Sequence, residues 1–476
     1  MSAPWTRLRR DLVQQPPLTA WHPVLIRLAV LGGLAGMLAL VGLLSTQQSW
    51  DVVLVVAALP LLFVLAARNI HRIDWGVIAI AATAAFVRFT IPTGTESVIV
   101  ASLALTVVVV AAWVVHMVVI EGRISLEPAP TNLPALGFMC AAVISLFWGI
   151  AFRDPLVSIW SSFPFVQLAS LAVLILLPST FLLVGNCIRS STHLRALVGL
   201  LIVIGVLGLV EEVLRVSMPV NVLGLFPTWA VAVSAALALF YKKLPRWQRV
   251  LLLVFTAGWV WYGYFRRLSW LAAWLPALVA LAVVLFMRSR WFVILIVIAL
   301  ILAGVYYVRQ RYTTEISESG STRLAAWRQN LKIVGKHSLF GTGPAGYAVY
   351  YMTYFPTWAM ATHSNYLDIL SQTGMVGLTF CLWFFSALLL QGYRLCQRLR
   401  GRGDLLEGLA NAAFAGTVAC VVAMAIGDWL FPFAYTQTIA GFDYVVYSWL
   451  FMGMIPVVER MTRQEDRVAG SLEGDQ

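Results

Sequence analysis

The stretch of this chain with most chemical potential is His363-Ser364-Asn365-Tyr366-Leu367-Asp368-Ile369-Leu370-Ser371-Gln372-Thr373-Gly374-Met375-Val376-Gly377. It joins a long polar connection to an apolar run, which sets His363 at the depth of lipid headgroups. A neutral imidazole there can take a proton from a hydroxyl, because imidazole titrates near working pH; a structural or incidental histidine is the plainer alternative. A second group precedes it. Ser321 or Thr322 can cap a helix running through about Val334. At 100° per residue Arg323, Trp327, Asn330 and Val334 share one face, and Arg328, Lys332 and Lys336 form a stripe on nearly the opposite one. The stripe suits solvent or anionic headgroups, whereas Arg323, beside Trp327, is expected to point into the protein. Next comes His337-Ser338-Leu339-Phe340-Gly341-Thr342-Gly343-Pro344. Its glycines either tuck the loop back onto the membrane surface or cradle a phosphate. Asp428, after a later apolar run, either orients an imidazole or arginine or caps a helix.

The elements that must position these residues are membrane helices. Of 476 residues 61% are hydrophobic and 11% charged, with a mean hydropathy of +0.85; a soluble domain carries roughly 25% charged residues. Runs of about 20 apolar residues, the length that crosses a hydrocarbon core, recur along the chain. The expected fold is all-α, a polytopic transmembrane bundle of about fourteen spans: 24–44, 50–67, 76–91, 97–120, 135–152, 166–187, 194–214, 221–240, 249–264, 268–286, 291–308, 365–391, 406–427 and 437–458. Residues 1–23 and 459–476 are then cytoplasmic tails, and 309–362 is a long, partly helical extracytoplasmic loop that carries the chemistry. Arg7, Arg9 and Arg10 precede a first run too long for a signal-peptide core, so it reads as a retained span. The five cysteines are scattered, with neither metal-ligand spacing nor a disulfide framework.

Charge tests this topology. The net charge of +12 reflects basic cytoplasmic loops rather than nucleic-acid binding, for which no motif is present. With the N-terminus inside, 22 of the 33 basic residues fall in or beside cytoplasmic segments, and the outer loops at 45–49, 92–96 and 428–436 have none. The remainder concentrates in two outer places, the turn holding Arg266 and Arg267 and the 309–362 loop. An anionic ligand on the outer face accounts for that concentration. Glu211 and Glu212 are expected either to pair with Arg215 one turn later or to line an acceptor path, since intramembrane acids are often functional, and His116 to face headgroups.

These residues resemble the O-antigen ligase and O-antigen polymerase superfamily. His363-Ser364, nine residues and then Gly374-x-x-Gly377 are similar to that family's histidine motif. Arg323-x-x-x-Trp327 with His337-Ser338-Leu339-Phe340-Gly341-x-Gly343 is similar to an upstream one, Ser338 standing where proline is usual. Arg267-Leu-Ser-Trp-Leu-Ala resembles a third, with Arg266 in place of a common serine, and Gly224-Leu-Phe226-Pro227 echoes a fourth. The resemblance covers about 221–377. It implies a glycosyltransferase of a bacterial inner membrane, active on the extracytoplasmic side. Such an enzyme moves a glycan from a polyprenyl-pyrophosphate carrier to a hydroxyl of a glycan, lipid or protein acceptor. His363 would be the general base, with Arg323 and Arg267 on the pyrophosphate, since arginine binds phosphate oxygens through two parallel hydrogen bonds. Arg266, Trp327, Gly341, Gly343, Asn365 and Asp428 would line the substrates. No cofactor is implied, and with no Asp-x-Asp and few outer carboxylates no metal is expected. The rival expectations are a transporter or flippase of lipid-linked sugars and a non-catalytic scaffold; no internal repeat of the kind common in transporters is visible.

Overall fold

The structure, a computed structural model, describes residues 73–92, 97–267, 271–292, 294, 298, 301–302, 304–306, 321–355, 361–433 and 437–474. The expected spans at 24–44 and 50–67, half of that at 291–308, and residues 309–320 lie outside the described residues. The chain divides into two compact units, Met1–Ile70 with Ala111–Leu126, and His71–Val110 with Glu127–Gln476. In the first, the described part includes a π turn at His116–Ile120, where His116 Nδ1 stands 3.3 Å from Glu121 Oε1.

The second unit is helical apart from one hairpin. Helix α1 is Ile73–Phe86; strands β1 (Thr90–Pro92) and β2 (Val98–Val100) pair antiparallel, Ile91 opposite Ile99. The spans expected at 76–91 and 97–120 therefore give up facing ends to a short hairpin, where β-branched residues favour extended backbone. Then follow α2 (Ala101–Val115), which the second unit holds only as far as Val110, α3 (Asn132–Ala151), α4 (Phe163–Cys187), α5 (Ser191–Leu214), α6 (Phe226–Phe240), α7 (Arg246–Trp261) and α8 (Leu271–Arg288). Residues 321–355 supply α9 (Ser321–Lys336) and α10 (Gly346–Tyr354), and the chain continues with α11 (Asn365–Leu399), α12 (Leu405–Ile426), α13 (Phe442–Met452) and α14 (Met454–Gly474). Seven helices among the described residues are long and apolar enough to cross a membrane. At 1.5 Å per residue, α1 and α6 are shorter than a hydrocarbon core of about 30 Å.

Helix α6 is apolar on every side and correspondingly buried on every side, packed by α7, α8 and α12. Its Trp229 donates from Nε1 to Ser448 Oγ at 3.0 Å and lies against Gly416 of α12, where a Cβ would sit 2.3 Å from the indole. A small residue thus lets the two backbones approach. Beside α6 an apolar cleft of about 900 Å³ runs between α5 and α7. Exposed Val206, Leu251 and Val254 on its walls open it sideways. The two helices meet where Gly258 admits Leu209.

Helix α11, at 35 residues, is one element only nominally. Gly374 has φ +67° and ψ −169°, which divides it into an upper piece carrying Asn365–Thr373 and a longer membrane-crossing piece. The expected span at 437–458 falls within one candidate crossing, Ile439–Val468: α13 passes through Gly453, which keeps helical backbone, into α14, which extends through the segment expected as a cytoplasmic tail.

Candidate active site

The break at Gly374 is where two sequence motifs are spliced together. Thr342 and Gly343 donate their amides to the carbonyls of Ser371 and Gln372, at 2.9 and 3.0 Å. Met375 and Val376 donate theirs to Ser338 and Leu339, at 2.8 and 3.2 Å. A Cβ on Gly374 would lie 2.2 Å from the Leu339 carbonyl oxygen, so only glycine fits, by space and by sign of φ. Gly341 and Gly343 also have positive φ, and their amides are taken by His337 and Gln372. Both amides are already paired, so the two glycines serve the packing of loop on helix. The His-to-Gly spacing therefore measures the distance from this splice to the top of α11, where His363 stands.

His363 precedes α11 in a left-handed conformation, φ +50°, which costs a non-glycine residue roughly 1–2 kcal/mol. Its neighbours hold it there. Trp327 of α9 donates from Nε1 to the Thr362 carbonyl at 2.7 Å, and the Ser364 amide donates back to Thr362 Oγ1 at 3.2 Å. The imidazole, 47% exposed, has Nδ1 3.7 Å from Oδ2 of Asp428, whose side chain is 2% exposed. That is an ion-pair separation rather than a hydrogen bond. Arg323 faces the same carboxylate electrostatically, and its Nε is buried with no hydrogen-bond partner among the described residues. Burial pushes Asp428 above the ordinary carboxylate range; the neighbouring Asp368 carboxyl and the charges of His363 and Arg323 pull it back.

Asn365 explains why Asp428 is where it is. The amide is completely buried; Nδ2 donates to the Phe431 carbonyl at 2.7 Å, and Oδ1 accepts from the Leu430 amide at 2.9 Å. It anchors the bend after α12 to the top of α11.

Arg267 belongs to another group. A π turn, Tyr262–Arg266, ends α7, and Arg267 Nε donates to the Tyr262 hydroxyl at 2.8 Å while that hydroxyl donates to Glu212 Oε1 at 2.5 Å. Arg267 Nη2 stands 3.5 Å from the same carboxylate. Glu212 thus pairs with Arg267 and not with Arg215, which instead ends α5 in the left-handed region. Arg266 is exposed. No hydrogen bond or ion pair among the described residues joins this group to His363.

The structure thus brings together His363, Asp428, Arg323, Trp327 and Asn365, and adds three residues to which the sequence assigned no such part. Tyr262 and Glu212 hold Arg267. Asp368, an acid in the first turn of an apolar helix, is buried behind Asp428; a carboxyl in such a run is itself a functional signal.

Residues 251–382 match the family model described as O-Antigen ligase. The match runs from α7 into α11 and contains Arg266, Arg267, Arg323, Trp327, Gly341, Gly343, His363, Asn365 and the Gly374 break, but not Asp428 or Glu212. No curated protein gives a significant match to the chain. Over that segment, and on the same motifs, the chain is similar to the O-antigen ligase family.

Proposed function

We propose that this protein is a metal-independent glycosyltransferase of a bacterial inner membrane, with about fourteen spans, both termini cytoplasmic and the 309–362 segment outside. It moves a glycan from a polyprenyl-pyrophosphate carrier to an acceptor hydroxyl. The acceptor oxygen attacks the anomeric carbon, the carbon–oxygen bond to the pyrophosphate breaks, and the carrier leaves with the electron pair. His363 takes the hydroxyl proton on Nε2 while Asp428 faces Nδ1 and favours the imidazolium that forms. Arg323, with Arg267 and Arg266, meets the charge growing on the pyrophosphate. Trp327 lines the donor, and Asn365, Gly341 and Gly343 act by holding the site.

The observation that carries this reading is the buried Asp428 carboxylate, 3.7 Å from a half-exposed imidazole and in the field of an arginine whose buried Nε has no hydrogen-bond partner among the described residues. A base with one nitrogen facing a carboxylate and a cation with an unused donor suit phosphate-leaving glycosyl transfer. The sideways apolar cleft supports it too. Gly258 and Leu209 line its end, one helical turn before Tyr262 and Glu212, so a polyprenyl tail can lie in it below a pyrophosphate at Arg267.

The test is transfer from a defined lipid-linked glycan. His363→Ala is expected to fold and bind donor while transfer falls by roughly 10²–10⁴. Arg323→Ala and Arg267→Ala should weaken donor binding as well, and lysine should rescue only in part, since a point charge lacks the two-pronged contact. Arg328→Ala and Lys332→Ala should have small effects that shrink at high salt. Equal losses in the stripe and at His363 would refute the base. Unchanged variants in a protein that carries lipid-linked sugar across vesicles would make it a transporter.

A further inference from the structure

Behind the imidazole lie two carboxyl groups that cannot both be charged. Asp368 and Asp428 are each 3% exposed and act on one another electrostatically, and each leaves one oxygen, Oδ2 of Asp368 and Oδ1 of Asp428, buried with no hydrogen-bond partner among the described residues. An ionised carboxylate only accepts, so a bond between the two carboxyls must contain a proton, and two buried neighbouring like charges exclude each other in any case.

Surroundings decide which residue holds the proton. Asp428 faces His363 and Arg323, and cations favour charge on the group they face. Asp368 has neither: the titratable groups facing it are Asp428 and the Tyr347 phenol, neither of them a cation. Its Oδ1 accepts the Thr362 hydroxyl at 2.6 Å, which leaves Oδ2 for the second carboxyl. Thr362 is also the residue to which Trp327 is tied. Hydrogen bonds therefore run from α9 through the turn before His363 into α11, where Asp368 faces the carboxyl of the bend after α12.

We propose that Asp368 is a positioning residue for the transfer reaction, a buried neutral acid whose O–H donates to Asp428 and keeps that carboxylate ionised and aimed at His363 Nδ1. This rests on His363 being the base. Without the donor, Asp428 would take up a proton itself or turn toward Arg323, and Nδ1–H of the imidazole would lose the anion that fixes its tautomer. The role requires a neutral donor at 368 and a charge at 428, and the two positions consequently differ in which substitution they tolerate.

The experiment compares Asp368→Asn, Asp368→Leu, Asp428→Asn and His363→Ala, each checked for monodispersity and thermal unfolding in detergent. Asparagine at 368 supplies an N–H for Asp428 and a carbonyl for Thr362. It should keep transfer within about threefold of wild type and leave the pH profile of kcat in place, because a neutral donor is retained. Leucine should lower kcat roughly 10–100-fold with little change in KM, the size expected for losing a hydrogen bond to a charged group. Asp428→Asn, which removes the charge, should fall toward His363→Ala. Infrared spectra give a direct readout: a protonated carboxyl C=O band present in wild type should vanish in Asp368→Asn. If folded Asp368→Asn loses as much as Asp368→Leu, or the band persists in it, the neutral-donor role is wrong. An unchanged Asp368→Leu overturns it equally, and if Asp368→Leu fails to fold, Asp368→Asn and the infrared band still decide. Unimpaired transfer in His363→Ala would remove the base, and the proposal with it, by a route that the 368 variants alone do not follow.

Discussion

Asn365 stands two residues from the imidazole, yet none of its surface reaches solvent. Its amide is spent on the backbone of Leu430 and Phe431. Asn365→Leu keeps the volume but leaves a buried carbonyl and a buried amide unpaired, which should cost about 2–4 kcal/mol. The expected result is a lower unfolding midpoint and reduced transfer together, because the bend carrying Asp428 loosens. A variant of wild-type stability would show that the bend needs no such anchor. In the sequence, asparagine beside a reactive histidine reads the same whether it meets substrate or backbone; burial separates the two, and burial depends on a bend some 65 residues away. Arg323 was more legible, because one helical face sufficed to turn it inward. Asp428 was legible only as an alternative between orienting and capping. The Arg267 partner was misread because helical spacing favoured Arg215, which the chain uses as a left-handed terminus instead.

Elements here are joined by a splice rather than by side chains alone. The loop after α9 and the break in α11 exchange backbone hydrogen bonds in both directions, so α9 and the top of α11 are fixed to each other through main chain. Gly374→Ala would require a Cβ 2.2 Å from a carbonyl oxygen at a backbone angle costing roughly 1–3 kcal/mol for other residues. It should lower thermal stability sharply and disable transfer, although residue 374 touches no reacting group in the mechanism proposed. Retention of activity and unfolding midpoint would show that the loop can part from the helix. The motif spacing was visible in the sequence, but not what it spaces: Gly374 and Gly377 appeared to lie within a continuous helix, since a positive φ leaves no trace in hydropathy.

For the whole molecule, the alternation of basic and neutral loops predicts that α9 lies on the outer side and α14 in the cytoplasm. In a background freed of native cysteines, Arg328→Cys in intact cells should react with an impermeant thiol reagent, and Arg467→Cys should react only after lysis. The reverse pattern would invert the topology. Composition made the helical, membrane-embedded class plain, because 61% hydrophobic residues have few other solvents. Helix ends were less legible. Hydropathy does not distinguish the β1–β2 hairpin from the ends of spans, nor a short buried helix such as α6 from a full crossing. The sideways cleft between α5 and α7 has a kinetic consequence. An enzyme entered from its flank meets its donor by two-dimensional diffusion, so its rate should follow the donor's mole fraction among lipids and not its bulk molarity. Added inert phospholipid, at constant protein and donor, would then slow turnover in proportion to the membrane area over which the carrier is spread.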